Sequence, residues 1–489
     1  MRDKSDILII GAGVVGCALA REFSKFELKT VLVEKEGDVC CGVSKANSGV
    51  LHTGLYYKKG SLKARLCVEG RLMFKKLVKE LDVSCTLCGK HVVARTEEEI
   101  KDLERLRDVG EANGVRGLTI ISRDLAKKRE PNVDSLGALY SPVAGIVSPY
   151  LFTIALAENA SSNGVNVYLN TKVVGIKQVN EGFRVTTTQG DFHADIVINS
   201  AGLYADRIAS MVGIDQYQLY PCRGEYLVLD KDSRGLISGM VYPVPPKVAG
   251  VLGVHLTPTI DGNMLIGPSA EFIDVREDTR TTEEKILELM TEAKDLLPSI
   301  SLKAVIYAFS GVRSKITPPG EKEARDFIIQ EDLAGFINLI GIESPGLTSS
   351  PAIAKLVVQM VKEKRDIRQK KDFNPIGRKT VRFHETPREK QSSLVNEDPA
   401  YGEMVCRCEH VTKREVLDAL NNPFGAKTIA AVKYRTRAGM GRCHGGFCLP
   451  KIVEILEKEY GMAAEEMTLK NTDSPLFIGR TKDLRKKGA

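Results

Sequence analysis

The run Asp6-Ile-Leu-Ile-Ile-Gly11-Ala-Gly13-Val14-Val15-Gly16 constrains this chain more than any other stretch. An apolar strand feeds a glycine turn, the turn opens a helix predicted over Val14 to Phe23, and a second strand runs from Thr30 to Glu34. Gly11 permits the tight turn, Gly13 lets a pyrophosphate reach the backbone, and Gly16 lets the helix pack on the sheet. The helix start supplies N–H groups and a positive dipole end for phosphates. Glu34 stands 18 residues after Gly16, beside Lys35. Its carboxylate can accept bonds from ribose hydroxyls and would repel a 2′-phosphate. These residues predict an α/β fold opening on a Rossmann-like dinucleotide site.

The glycine pattern does not separate FAD from NAD, but three later features favour FAD. The stretch Ser44-Lys-Ala-Asn47-Ser48-Gly49-Val-Leu-His52-Thr-Gly54 is a long polar loop after the second strand, suited to wrapping an isoalloxazine. The stretch Asp195 to Asp206 is a second strand running into small residues, among them Ala201 and Gly202. Gly341-Ile-Glu-Ser-Pro-Gly346-Leu347-Thr348 leads from a strand into a helix whose N-terminus would face the flavin N1 and C2 carbonyl.

Lys90 to Ala94 and Arg184 to Thr188 read as strands of a second sheet, Pro131 to Ser148 as loop, and Leu151 to Asn163 as an amphipathic helix. Several short strands between about 220 and 270 predict an antiparallel substrate sheet. Phe336 to Ile340 reads as a strand and Pro351 to Lys362 as a helix, and Arg365 to Asp398 as a polar linker or wrapping segment. A length of 489 residues, 43% of them hydrophobic and 27% charged, fits several globular domains and excludes wholesale disorder.

Eleven cysteines without a secretory signal argue for metal or redox use rather than a disulfide framework. Cys406-Arg-Cys408, then 34 residues, then Cys443-His-Gly-Gly-Phe-Cys448 make a Cys₄ site from two close pairs. A single residue between paired cysteines fits zinc poorly. Glycines 439, 441, 445 and 446 leave N–H groups beside the sulfurs. The pattern favours a [2Fe–2S] cluster over zinc, with disulfides last. Cys85 and Cys88 have no second pair or histidine placed to complete a site, and read as ordinary thiols.

Residues 1 to about 365 resemble the D-amino-acid-oxidase-type (glutathione-reductase-2) flavoproteins, and within them the anaerobic glycerol-3-phosphate and L-2-hydroxyglutarate dehydrogenases. The pieces that carry the likeness are Asn47 to Tyr57, Arg223-Gly-Glu-Tyr226, His255 to Asn263, Gly267-Pro268, Phe309-Ser-Gly311-Val-Arg313 and Gly341 to Thr348. Residues 401–465 resemble the bacterioferritin-associated-ferredoxin-type [2Fe–2S] domain in the form appended to some flavin dehydrogenases. The resemblance implies FAD-binding parts at about 1–80, 145–215 and 305–365, and a substrate sheet at about 81–144 and 216–304. A linker at 366–400, a small helical cluster domain at 401–465 and a basic tail at 466–489 complete it. It adds Val173, Ala201, Gly202, Gly311, Arg313, Gly346, Leu347 and Thr348 to the cofactor-binding residues, and names Cys406, Cys408, Cys443 and Cys448 as cluster ligands. Tyr226 stands where some relatives present a catalytic histidine, so the likeness does not itself name the base.

Oxidising a hydroxy compound sends a hydride to flavin N5 and a proton to a base, for which histidine has the suitable pKa. The candidates are His52 and His255. Arg313 sits where the family places a cation for the substrate anion, with Lys58, Lys63 and Arg65 next in line. The reading is an FAD- and [2Fe–2S]-dependent glycerol-3-phosphate dehydrogenase. Its rivals are a 2-hydroxy-acid dehydrogenase, an amine or imino-acid dehydrogenase subunit, and an electron-relay subunit. A cluster beside a flavin implies an external acceptor, such as a pyridine-nucleotide flavoprotein subunit or a quinone-linked system.

The net charge of +7 is interspersed and gives no case for nucleic acid. The basic end, Arg480 to Lys487, reads as a frayed soluble tail rather than a contact for an acidic partner or a membrane surface. No apolar run reaches membrane-span length, and the acidic first residues do not read as a signal peptide. The expected location is cytoplasmic, with peripheral membrane association left open.

Overall fold

The computed structural model describes residues 3–246 and 252–479. The tail cations from Arg480 onward lie outside the described residues.

The first strand, Asp3–Ile10, sits at the centre of an eight-stranded sheet. It pairs in parallel with Thr30–Val33 on one side and Gly190–Asn199 on the other, with Ile10 opposite Val33 and Asn199. Ile7, Leu8 and Ile9 are fully buried, as a continuous apolar run must be when both faces of a parallel sheet are covered. Phe336–Ile340 joins the C-terminal end of Gly190–Asn199 in parallel, and Ile328–Leu333 pairs with it in reverse. The glycine turn therefore emerges at the carboxyl ends of parallel strands, the place where open α/β sheets bind ligands. Helices Val14–Phe23, Leu62–Glu80, Pro149–Ser162 and Gly346–Lys362 share one apolar core against this sheet.

A nine-stranded sheet forms the second layer. It runs Glu271–Phe272, Tyr220–Leu229, Met264–Gly267, His255–Pro258, Met240–Pro243, Lys90–Ala94, Gly137–Ser141, Thr119–Ser122, with Val305–Lys315 on the free side of Tyr220–Leu229. The long antiparallel pair in this sheet runs from Tyr220 opposite Lys315 to Leu229 opposite Val305, and sets Tyr226 opposite Phe309.

Several sequence expectations need correction. Arg184 belongs to the strand Phe183–Thr187, which joins the first sheet through the meander Val173–Gln178, Phe183–Thr187, Gly190–Asn199. Alternation marks a half-buried strand but does not name its sheet. The span 131–148 holds two short strands, Gly137–Ser141 and Gly145–Val147, as well as loop. Helix Pro149–Ser162 is buried on most sides, not amphipathic, because it lies between the first sheet's helices and the C-terminal unit. The last helix of the body starts at Gly346, and Pro351 falls inside its first turns.

After Lys362 the chain wraps the body. The Lys370 amide bonds to the Lys25 carbonyl, the Gly377 amide to the Glu80 carbonyl, and Asn159 donates to the Asn374 and Ile376 carbonyls. This segment also contains a helix, Arg388–Glu397. The C-terminal unit is a short hairpin, Met404–Cys406 with Val411–Thr412, and helices Lys413–Leu420, Ile429–Thr436 and Cys448–Tyr460 around their own core. Thr412 and Glu415 cap the first helix reciprocally. The two cores are not insulated, since Phe424 and Tyr434 of this unit pack against the core of the body.

Candidate active site

A cleft of about 1660 Å³ runs from the glycine turn, between the two sheets, to the C-terminal unit. At its near end the cradle is steric. A Cβ on Gly11 would lie 2.8 Å from the Ser200 carbonyl oxygen, and one on Gly16 would lie 1.9 Å from that of Gly11. The helix that opens at Gly13 has no side-chain cap of its own. The Val14 amide is instead taken by Ser44 Oγ at 2.9 Å, and the Ala12 amide by Glu34 Oε2 at 2.7 Å. Burial pushes the Glu34 carboxyl up, and the Ala12 and Glu36 amides oppose it. Val15, Lys35, Asn47, Ser48, Val173, Ala201, Gly202, Gly311, Gly346 and Leu347 also line the cleft. Gly16, Gly49 and Thr348 do not line it; they shape it from behind. Gly49 passes close to the Val147 carbonyl at a φ of +66°, and fully buried Thr348 Oγ1 accepts the His52 amide at 2.9 Å.

At the far end the cleft brings together His52, Tyr226, His255 and Arg313. His255 Nδ1 lies 3.0 Å from the Gly253 carbonyl, an oxygen that can only accept, so Nδ1 carries the proton. Nε2 is left with its lone pair, buried and without a protein partner. The ring stacks on Tyr242 at 3.8 Å, and burial pushes its pKa down to about 3. His52 Nε2 instead meets Ser344 Oγ at 3.1 Å, and burial, then Lys90 and His255, push its pKa well down. Tyr226 stacks on Phe309 at 4.8 Å and its hydroxyl bonds to Ser48. The Arg313 guanidinium is fixed by backbone oxygens, chiefly that of Ser269 at 2.5 Å.

Beside Arg313 lies a charged group of which the sequence singles out only Lys63. Glu343 joins Lys63 at 3.0 Å and Lys315 at 3.3 Å, all three side chains nearly buried. Against the upward push of burial, Lys63, Lys315 and Arg313 hold the Glu343 carboxyl low. Of the other reserve cations, Lys58 is exposed and pairs with Glu323, and Arg65 is exposed.

Lys90 went unrecognised because it reads as an ordinary strand residue. It is fully buried, its Nζ has no hydrogen-bond partner, and it sits 3.9 Å from the Tyr242 ring centre and 5.1 Å from that of Tyr56. Burial pushes its pKa down to about 7. Between that value and the ordinary ~10.4 the unfolded chain holds the proton and the folded one does not, so stability rises with pH across this window. Below pH 7 the cost of the buried charge is fully present. In thermal melts compared from pH 7 to 10, Lys90→Met will therefore gain most over the wild type at pH 7 and progressively less towards pH 10. A slope unchanged by Lys90→Met overturns this.

The four C-terminal cysteines stand as two pairs. Cys408 and Cys443 have sulfurs 3.6 Å apart, and Cys406 hydrogen-bonds with Cys448. A tetrahedral ion at about 2.3 Å from each thiolate holds two sulfurs roughly 3.7 Å apart, so each pair suits one metal ion. Among the described residues no three potential ligands converge on a single ion. The bond from Cys448, with amides of Glu409, Gly439 and Cys408, pulls the Cys406 thiol down to about 6 against its burial. Amides of Phe447 and Gly445 lower Cys443. Cys85 and Cys88 are free thiols, both pushed up by burial.

The family model described as FAD dependent oxidoreductase matches residues 6–360. The chain belongs to this family. A BFD-like [2Fe-2S] binding domain matches residues 404–458. The oxidoreductase is 41% identical over 482 residues to the glycerol 3-phosphate dehydrogenase of Caloramator mitchellensis, covering 98% of this chain and 99% of that one. It is 32% identical over 390 residues to the L-2-hydroxyglutarate dehydrogenase of Indibacter alkaliphilus, covering 72% and 98%. Among solved structures it is similar to the dithionite-reduced L-alpha-glycerophosphate oxidase of Mycoplasma pneumoniae with FAD bound, at TM-score 0.71 and 31% identity, over 76% of this chain and 98% of that one.

The cofactors of this oxidoreductase are FAD and a [2Fe–2S] cluster. The residues present fit both. Side-chain-free backbone at Gly11, Gly13, Gly202, Gly311 and Gly346 lines the cleft, and the paired sulfurs carry amide donors. The C-terminal unit also borders this cleft, through Lys433, Tyr434, Arg437, Met440 and His444. Arg437 bonds to Asp261, Tyr150, Asn263 and Glu409 from a left-handed φ of +70°. In the sequence alone this unit stands only as a module beyond a linker. No helix among the described residues is long and apolar enough to cross a membrane.

Proposed function

We propose that this enzyme oxidises glycerol 3-phosphate to dihydroxyacetone phosphate and delivers the electrons through the cluster to an external acceptor protein. The observation that carries the reading is the likeness to the Caloramator glycerol 3-phosphate dehydrogenase across both cofactor units, over 98% of the chain. The cleft supports it. Arg313 and Lys63 line the substrate end with Glu343, whose carboxylate is also countered by Lys315 behind it, and the net positive charge suits a phosphate dianion. The 2-hydroxy-acid reading keeps its support from the hydroxyglutarate dehydrogenases, which cover 72–73% of the chain.

Bound FAD supplies the two-electron acceptor for the carbinol hydride, and the cluster a one-electron outlet. The chain's own residues do the rest. Arg313 holds the anionic end of the substrate, with Glu343 keeping Lys63 in place beside it. His255 Nε2, unprotonated across the neutral range, takes the hydroxyl proton. Tyr226 and Phe309 form the aromatic wall opposite the Ser48 loop.

The test is an anaerobic screen for flavin bleaching with glycerol 3-phosphate, L-2-hydroxyglutarate, L-proline and sarcosine. Glycerol 3-phosphate will bleach fastest. Bleaching by L-2-hydroxyglutarate alone moves the enzyme to the 2-hydroxy-acid class, and bleaching by none removes the dehydrogenase reading. Arg313→Ala will lower kcat/KM for glycerol 3-phosphate about 10- to 150-fold at normal FAD content, the weight of one charge-assisted contact. Arg313→Lys will recover only part, since an ammonium cannot make the bidentate fork. An unchanged kcat/KM in Arg313→Ala places the anion site at Lys63.

A further inference from the structure

The loop from Glu36 to Lys45 joins the Glu34 carboxylate to the Ser44–Asn47 turn, and the C-terminal unit grips it at four successive points. Asn471 Nδ2 donates to Glu36. The Lys470 carbonyl oxygen presses on Gly37, where a Cβ would lie 2.7 Å away. Arg435 makes a two-pronged pair with Asp38, both side chains at most 8% exposed, and reaches Glu158 with Nε. Lys45 Nζ lies 5.2 Å from the Tyr434 ring centre.

The gripping residues are themselves tied to the cluster unit. Arg435 and Tyr434 lie on helix Ile429–Thr436, which ends one turn before the Gly439–Cys443 stretch. Lys470 and Asn471 belong to a turn that closes back on that helix: the Ile429 and Ala430 amides donate to the Thr468 and Leu469 carbonyls. Lys470 and Asn471 line the same cleft as Glu34.

We infer that the C-terminal unit is a structural part of the FAD site: it sets the conformation of the 36–45 loop, and so makes FAD affinity depend on the iron–sulfur unit being folded and docked. A buried ion pair such as Asp38–Arg435 contributes little net energy but is strongly disruptive when one partner is removed, because a charge is left buried and unpaired. Coupling of this kind is reciprocal: FAD strengthens docking of the C-terminal unit by the factor with which the docked unit strengthens FAD binding. The inference rests on the placement of the dinucleotide along Glu34, and the test separates the two.

The experiment measures FAD dissociation constants by recovery of free-flavin fluorescence on dilution, in holoprotein of full length. Asn471→Ala, a half-buried substitution that leaves both cores intact, and Arg435→Gln will weaken FAD binding about 5- to 150-fold, the usual span of coupling between sites, at unchanged iron content. Arg435→Lys will recover part of the loss. A double-mutant cycle of Asp38→Asn with Arg435→Gln will show the two losses to be shared rather than additive. Glu34→Ala reports on the site itself. If Glu34→Ala releases FAD while Asn471→Ala and Arg435→Gln hold it normally, the coupling is overturned. If Glu34→Ala also holds FAD normally, the placement of the dinucleotide is overturned instead.

Discussion

The Cys406→Ser protein, held in excess FAD, will still bleach with glycerol 3-phosphate, yet its turnover with a one-electron acceptor protein will collapse. Cys406 is almost fully buried, bonds to Cys448, and receives amides from both ends of the cluster loop. A hard serine oxygen replaces one of the four soft thiolates of the Cys₄ set. Loss of an outer-shell partner costs roughly 10- to 100-fold in metal affinity or activity, and loss of a ligand costs more. Iron will fall from two per chain towards none, and the reduced-cluster resonance will vanish. The far end of the cleft, with His255 and Arg313, belongs to the other sheet, so bleaching continues as long as FAD is supplied. The excess matters because the C-terminal unit also holds the 36–45 loop. If bleaching stops in saturating FAD, the cluster unit is part of the substrate site. If one zinc and no iron is found in anaerobically prepared wild-type protein, the cluster assignment fails.

Much of this molecule is legible in one dimension because its chemistry is local. The Gly11–Gly16 turn, the helix Val14–Phe23 and the strands Lys90–Ala94 and Phe336–Ile340 are each fixed by a short pattern whose physical reason is contained in it. The paired cysteines are equally local. What the sequence conceals is decided by distant partners. Phe183–Thr187 alternates as any half-buried strand does, and only pairing with Gly190–Asn199 assigns it to the first sheet. Lys63, Lys315 and Glu343 come from a helix, a strand and a loop, spread over 280 residues, and meet only because Leu62–Glu80 packs on Gly346–Lys362, where Gly70 lets the backbones touch. Lys90 gives no signal at all until Tyr56 and Tyr242 close over it. The contact between the C-terminal unit and the 36–45 loop spans nearly the whole chain, Asp38 to Arg435, and two charged residues at that separation carry no pattern to read.

His255→Gln will slow anaerobic bleaching by glycerol 3-phosphate about 100-fold, the low end of what a positioned general base contributes, because burial makes this imidazole a weak base. Of the two histidines in the cleft, geometry separates them. His52 has its Nε2 engaged with Ser344 and its backbone tied to Thr348, which makes it a wall. His255 has one nitrogen committed to the Gly253 carbonyl and the other bare, which makes it a base with a defined tautomer. Burial sets its pH behaviour. With a pKa pushed down to about 3, the imidazole is neutral at every pH from 5 to 8, so its capacity to accept a proton does not fall as the solution is acidified through that range. The bleaching rate at saturating substrate will therefore show no titration of this histidine from pH 8 to 5 in the wild type. Glutamine keeps a donor near Gly253 but cannot take up a proton, so it preserves the stack on Tyr242 in outline while removing the chemistry. FAD content and the affinity for a non-reacting phosphate analogue will stay within about twofold, since neither depends on proton transfer. A variant that bleaches at the wild-type rate transfers the base to His52, and the matching His52→Gln protein, expected to lose no more than about tenfold as a wall residue, then shows the larger fall.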